Sequence, residues 1–80
     1  MIEYNEFRLW LADNKQLAHR TIGDIICRLK RINDILPWEY GDYYIFCLTR
    51  SEGFKKLSTS VRSQCKRSIS LYNEYLDSKK

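Results

Sequence analysis

The chain has 80 residues, of which 44% are apolar and 14% aromatic, and its formal net charge is +4. A chain of this length forms one domain at most, and its apolar content predicts a packed core, which excludes a disordered protein. No apolar run approaches the length of a membrane span and the N-terminus lacks a signal pattern, so we expect a cytoplasmic protein with no membrane partner.

The cysteines and the histidine argue against a metal site. Cys27, Cys47 and Cys65 are far apart and form no C-x-x-C pair, and His19 is the only histidine. An ordinary zinc finger takes its four ligands from clustered pairs, which this sequence does not contain. We therefore expect no metal and no other cofactor, and the scattered, odd-numbered thiols fit a reducing compartment.

The first predicted helix runs from about Glu3 to Asp13. Its apolar residues recur at helical spacing and form one face, which consists of Tyr4, Phe7, Trp10 and Leu11. The polar residues from Asn14 onward end this helix.

The second predicted helix begins at Thr21, which we expect to be its N-cap, with Asp24 completing a weak form of the capping box. Pro37 ends this helix, because the residue before a proline avoids the α conformation. One narrow stripe carries the apolar residues Ile22, Ile25, Ile26, Leu29, Ile32 and Leu36. The far side carries Arg20, Asp24, Cys27, Arg28 and Arg31.

The third predicted helix runs from about Tyr40 to Ser51, and Gly53 is expected to end it. It is apolar on nearly every side, and a short helix in so small a domain cannot bury every side. The sequence leaves two alternatives for Ile45 and Phe46: the core absorbs them, or they are exposed and meet a partner.

The fourth predicted helix begins in the hydroxyl-rich segment 58–60, any residue of which can cap it. Its inner stripe consists of Val61, Cys65, Ser68, Ile69, Tyr72 and Leu76, and the helix should fray near Ser78. The four helices predict an all-α domain that spans residues 1–80, with about residues 3–77 ordered.

Charge is sorted along the chain. Ten of the fourteen bases lie in segments 15–33 and 55–67, which contain one acid, Asp24. Seven of the ten acids lie in segments 1–14 and 34–54. If the two basic helices meet in the fold, they form one positive surface with an acidic back, and such a surface suits a polyanion.

Catalytic patterns are missing from the sequence. With His19 as the only histidine there is no strong nucleophile-and-base pair, and no Walker loop, G-x-G-x-x-G or H-E-x-x-H motif occurs. His19 is either a solvated flank of the second helix or a phosphate or base contact when charged. We therefore predict no catalytic residue and no enzyme activity for this chain by itself.

The starts of the two basic helices favour nucleic-acid binding. Each combines arginine with hydroxyl groups: Arg20 and Thr21 in one, Thr59, Ser60 and Arg62 in the other. Arginine and hydroxyl side chains, together with the free N–H groups of a helix start, bind phosphates, and a helix fits the major groove of DNA.

Two segments of the chain resemble a known family. The core-binding domain of tyrosine recombinases, the phage-type integrases, has two first helices that resemble the segment FRLWLADNKQLAHRTIGDIICRLKRINDIL. The last helix of that domain resembles the segment LSTSVRSQCKRSISLYNEYL. The resemblance extends from about Glu6 to Leu76. It implies a single four-helix orthogonal bundle of the SAM-like type.

The resemblance also implies a function and partners. The domain would form half of a clamp on double-stranded DNA, in a chain of bacterial or phage origin. A C-terminal catalytic domain of the same parent chain, absent from these 80 residues, would form the other half, and further integrase protomers would share the DNA.

The DNA-binding residues implied by the resemblance lie on the second and fourth helices. They are Arg20, Thr21, Arg28, Arg31, Thr59, Ser60, Arg62, Ser63, Lys66 and Arg67, with Lys30, Lys55 and Lys56 as flanking phosphate contacts. Contacts made mainly to phosphates predict weak, salt-sensitive binding, with a dissociation constant of about 10⁻⁴–10⁻⁶ M.

Two other functions are compatible with the sequence. One is a helical protein-interaction module of SAM or adaptor type that uses the aromatic third helix. The other is an independent helix-turn-helix regulator with one dominant recognition helix.

Overall fold

The computed structural model describes residues 2–79, and Met1 and Lys80 of the expected domain lie outside this range. Within it the chain forms five helices and no strand, which confirms the all-α class. The helices are α1 (Tyr4–Asn14), α2 (His19–Ile35), α3 (Asp42–Thr49), α4 (Glu52–Lys55) and α5 (Thr59–Ser78). Four helices were expected; the additional one, α4, is a single turn between α3 and α5.

Helix α2 begins before the expected N-cap. The helix starts at His19 after Ala18, and no side chain caps it. The backbone N–H of Ile22 donates to the carbonyl of Ala18 at 3.0 Å, so the first turn has already closed around Thr21. The prediction that Thr21 caps α2 is therefore wrong, and the threonine lies within the first turn, where its side chain is half-buried.

The core lies where α2 and α5 pack together and α1 crosses them. The predicted inner stripe of α2 is confirmed for its first five residues, which are at most 5% exposed, and Leu36 at its end is half-buried. On α5, Cys65, Ile69 and Tyr72 are buried in the same cluster. Each large apolar side chain buried here contributes about 1.5–3 kcal/mol relative to an exposed position.

Aromatic rings hold α1 on this pair. Phe7 is fully buried, and its ring meets the ring of Tyr72 edge to face at 5.1 Å and lies 5.6 Å from that of Tyr75. Such ring pairs add about 0.5–1.5 kcal/mol each beyond the burial of their area. The predicted face of α1 is thus its packed face.

Tyr44 fixes α3 to the end of α2. Its hydroxyl donates to the carbonyl of Leu36 at 2.6 Å and lies 3.3 Å from that of Ile32. Burial raises the pKa of Tyr44 to about 12, so the phenol keeps the proton that it donates. The carbonyl of Leu36, which caps the end of α2, gains a partner in this way, whereas that of Ile32 already accepts from the backbone N–H of Leu36.

The sequence predicted that Gly53 ends the third helix, and this prediction is wrong. Helix α3 stops at Thr49, and the chain restarts as α4 after Ser51, with Gly53 in its middle. A Cβ atom at Gly53 would lie 3.2 Å from Cγ2 of Ile35. The glycine therefore permits the close approach of α4 to α2 rather than a C-terminal cap.

Helix α5 begins in the segment that its sequence predicts. Its predicted inner stripe is confirmed for Cys65, Ser68, Ile69 and Tyr72, whereas Val61 and Leu76 are half-buried and Tyr75, outside the predicted stripe, is buried. The Ser58 hydroxyl accepts a hydrogen bond from the backbone N–H of Val61 at 3.2 Å, as an N-cap does. The helix ends at Ser78, the predicted position. Within residues 2–79 no helix combines the length and the apolar character needed to cross a bilayer.

Candidate nucleic-acid interface

Helices α2 and α5 lie side by side and make the most extensive contact between any two helices described. The two basic segments of the sequence therefore meet in the fold. Between them is a groove of about 170 Å³, which we call the α2–α5 groove. It is lined by Thr21, Asp24, Ile25, Arg28, Gln64, Arg67 and Ser68.

A hydrogen bond joins the two sides of this groove. Nε of Arg28 on α2 donates to Oε1 of Gln64 on α5 at 2.9 Å. Below them Ile25 and Ser68 are buried, while Asp24 and Arg67 are exposed at the rim. The groove is thus a polar cleft above a buried floor, with donors from both helices at its mouth.

Two further arginines extend this surface along α2. Arg20 and Arg31 are exposed, and helical spacing places them on the same side of α2 as Arg28. The salt bridges found within residues 2–79 join Lys15 to Glu74 and Lys79 to Glu3. The candidate arginines in that part of the chain thus carry charge that no carboxylate neutralises by direct contact.

A second recess lies at the start of α5, against Thr49 and Phe54. Its volume is about 260 Å³, and its α5 residues are Thr59, Arg62, Ser63 and Lys66. Nη2 of Arg62 donates to Oγ1 of Thr59 at 3.2 Å, so part of this guanidinium is held against its own helix. Nε of Arg62 is buried and has no hydrogen-bond partner among the described residues.

The outer face of α5 connects the two recesses. Ser63, Lys66 and Arg67 are exposed, and they occupy adjacent positions on this face. The structure therefore brings most of the predicted α5 residues onto one continuous surface that borders the α2–α5 groove. Ser60 is exposed one turn earlier, on the first turn of the helix.

None of the three predicted lysines lines either recess, and Lys30 lies apart from this surface. Nζ of Lys30 lies 5.4 Å from the centre of the Tyr4 ring, on the α1 side of α2, where Glu3 and Glu6 line the same recess. Lys55 and Lys56 are exposed at the end of α4. The structure thus separates Lys30 from the arginines that flank it in sequence.

Gln64 is a residue of the groove that was not predicted from the sequence. Its side chain is exposed at the mouth of the groove and is held by Arg28. A signal was present, since Gln64 lies three and four positions before Arg67 and Ser68 and so shares one side of α5 with them. Glutamine is neutral, so counting acidic and basic residues along the chain does not identify Gln64.

The acids are placed mainly away from the groove. Among the acids of residues 2–79, only Asp24 lines it. Glu3 and Glu6 lie at the start of α1, whereas Asp42 and Asp77 line a recess together with Tyr40. An exposed carboxylate among arginines limits how many phosphates this groove can hold.

Exposed aromatic side chains form a separate feature on α3. Tyr43 and Phe46 are 74% and 49% exposed, and their rings stack with centres 5.7 Å apart. The guanidinium of Arg50 lies 4.3 Å from the centre of the Phe46 ring. Of the two residues that the sequence left open, Phe46 is thus exposed, whereas Ile45 is half-buried against the core.

The described residues contain no group of three or more histidine, cysteine or acidic side chains that could hold a metal ion. His19 is exposed at the first position of α2.

Comparisons with protein-family models, with curated proteins and with solved structures find no match to this chain. The resemblance to integrase core-binding domains stays a prediction from the sequence.

Proposed function

We propose that this chain is a DNA-binding module, the core-binding domain of a tyrosine recombinase of the integrase class, with a SAM-like bundle in which α4 is a short addition. The observation that carries the proposal is the pairing of α2 with α5. It places Arg28 and Arg67 in one groove, with no direct carboxylate partner among residues 2–79.

In this proposal α2 and α5 lie along the duplex. Arg20, Arg31, Lys66 and Arg67 are exposed and bind phosphates, which positions the domain. The α2–α5 groove faces the bases. Strand cleavage belongs to a catalytic domain elsewhere in the parent protein, and other protomers bind the same DNA.

A salt titration with a 20-base-pair duplex tests this function. We expect the affinity to fall steeply with salt, with a slope of about −0.9 in log–log form for each phosphate contact. The double variant Lys66→Gln/Arg67→Gln should weaken binding and reduce the slope by about 2, because it removes two phosphate contacts. Lys15→Gln is a control, since Lys15 pairs with Glu74 outside this surface.

Two results contradict the proposal. Affinity that does not change with salt, or no binding at low salt, excludes a phosphate-binding surface. Unchanged affinity in the double variant excludes a role for α5 and favours a helix-turn-helix regulator that reads DNA with one helix.

A protein-interaction module is the second candidate, and the stacked pair of Tyr43 and Phe46 favours it. Exposed aromatic rings with a neighbouring arginine are typical of the centres of protein interfaces. This candidate predicts a protein partner whose binding is lost in Phe46→Ala. DNA binding that survives Phe46→Ala and depends on Arg67 shows that the two surfaces are separate.

A further inference from the structure

We propose that the α2–α5 groove reads a G·C base pair in the major groove, with Arg28 and Gln64 donating to guanine and Asp24 accepting from cytosine. The inference rests on the proposed function and deepens it, because it assigns base recognition to residues that a charge count cannot find.

The hydrogen bond from Arg28 to Gln64 determines how the amide of Gln64 is oriented. A guanidinium has only donors, so the atom that Arg28 contacts must be the amide oxygen Oε1. The amide nitrogen Nε2 therefore points away from Arg28 and offers two N–H donors at the mouth of the groove. Because the bond connects α2 to α5, both side chains are held before any ligand arrives.

This orientation selects among the bases. Glutamine binds adenine by accepting from N6 while it donates to N7. In Gln64 the oxygen is turned toward Arg28, which uses one of its two lone pairs, so the amide group left with its full capacity is the donor Nε2. Guanine presents two acceptors, N7 and O6, to the major groove, so it is the base that matches a set of donors.

Asp24 supplies the complementary part of the pattern. Its carboxylate lines the same groove and can only accept when ionised. A carboxylate repels a phosphate, whereas it accepts well from the N4 amino group of cytosine. Donors from Arg28 and Gln64 with an acceptor from Asp24 thus match the major-groove edge of one G·C pair.

The size of the groove also favours the edge of a base pair. Its volume of about 170 Å³ is smaller than the 300–1,000 Å³ of typical small-molecule sites. A groove of this size does not enclose a whole nucleotide, so its contacts with DNA come from side chains at its mouth, which reach the base edges on the floor of the major groove.

The test compares the binding of the 80-residue chain to three duplexes that present different groups in the major groove. One duplex is rich in G·C pairs, a second has the same length but only A·T pairs, and a third carries 7-deazaguanine, which pairs normally but lacks N7. At equal salt we expect the first to bind on the order of tenfold more tightly than the other two.

Variants identify the residues responsible. Gln64→Ala and Asp24→Asn should reduce the preference for G·C, and Gln64→Ala should also reduce the response to 7-deazaguanine, part of which remains with Arg28. Neither substitution removes a positive charge, so neither should make the salt slope less steep. Ser70→Ala on α5 and Asp34→Asn on α2 are matched controls at exposed positions that do not line the groove.

The outcomes separate the two claims. Salt-dependent binding without a G·C preference, or a preference that is unchanged in Gln64→Ala, overturns this inference and leaves the proposed function intact. Absence of salt-dependent binding overturns both. Gln64 and Asp24 are exposed, and circular dichroism of the variants checks that the helices are retained.

Discussion

Oε1 of Glu3 accepts a hydrogen bond of 2.8 Å from the hydroxyl of Tyr75, which lies 72 positions further along the chain. The same oxygen accepts from Nζ of Lys79 at 2.6 Å, and the backbone N–H of Glu3 donates to the hydroxyl of Tyr72 at 2.9 Å. These contacts join the beginning of the described chain to its last helix. Hydrogen bonds from Lys79 and then from Tyr75 lower the pKa of Glu3 below its ordinary value of 4.5.

The lowered pKa of Glu3 predicts a pH-dependent contribution to stability. Its carboxylate is favoured in the folded state, so the contribution is complete above the ordinary value of 4.5 and is lost as the pH falls through the folded pKa. We expect Glu3→Gln to lower the melting temperature near neutral pH, and this difference from the parent should shrink as the pH falls below 4.5. Thermal unfolding followed by circular dichroism across this range measures it.

Glu6→Gln serves as the control for Glu3→Gln, because Glu6 is an exposed acid of the same segment. A difference between Glu3→Gln and the parent that stays constant down to the lowest pH contradicts the assigned cause.

Replacing either of two glycines by alanine should have opposite effects on the free energy of unfolding, although both glycines have open space around them. Gly41 has a φ of 116°, which side chains rarely adopt, whereas Gly23 lies inside α2, and a Cβ meets nothing within 4 Å at either position. Gly41→Ala should therefore cost about 1–3 kcal/mol in unfolding free energy through backbone strain. Gly23→Ala should stabilise the protein by about 0.5–1 kcal/mol, because alanine is the better helix former. Urea unfolding of both variants measures the difference, and effects of equal sign contradict it.

Neighbouring bases on opposite sides of α2 should differ in DNA binding. Arg31 lies on the side of the α2–α5 groove, whereas Lys30 lies over Tyr4. We expect Arg31→Gln to weaken binding and to reduce the salt slope by about 1, and Lys30→Gln to change both much less. The two variants lose the same charge, so equal effects in a salt titration imply that only net charge matters.

The three thiols should react with a labelling reagent in the order of their exposure. Cys27 is exposed, Cys47 is half-buried and Cys65 is fully buried, and burial also raises the pKa of the Cys65 thiol. Labelling of Cys65 requires unfolding, so we expect it to be slower than that of Cys27 by roughly a thousandfold or more. Timed labelling with mass spectrometry measures the rates.

The control for the labelling experiment is Cys27→Ser, which should remove the fast phase and leave the slow one unchanged. Fast labelling of Cys65 in the folded protein shows that α2 and α5 separate readily and contradicts the tight pairing described above.

The existence of the helices and most of their buried faces were predictable from the sequence. The spacing of apolar residues that indicates them is a local pattern, set within a turn or two of each helix. The stripe of α2 and most of that of α5 are predictable in this way. The hydroxyl-rich segment 58–60 indicates where α5 begins, but only the structure shows that Ser58 is its cap. The start of α2 at His19 was not predictable, because a threonine followed by an acid has the spacing of a cap even where the helix has already begun. The role of Gly53 was also not predictable from the sequence. Only its short distance to Ile35 shows that the glycine permits close packing of α4 on α2.

Sequence by itself therefore determined the fold class, the inward faces and the two segments that carry the positive charge. Tertiary structure decided which flank of each helix meets which neighbour, because that depends on packing between residues far apart in the chain. It placed Lys30 beside α1 and Arg28 beside Gln64, although both bases belong to one helix. A charge count locates bases along the chain, whereas only packing determines which of them share a surface.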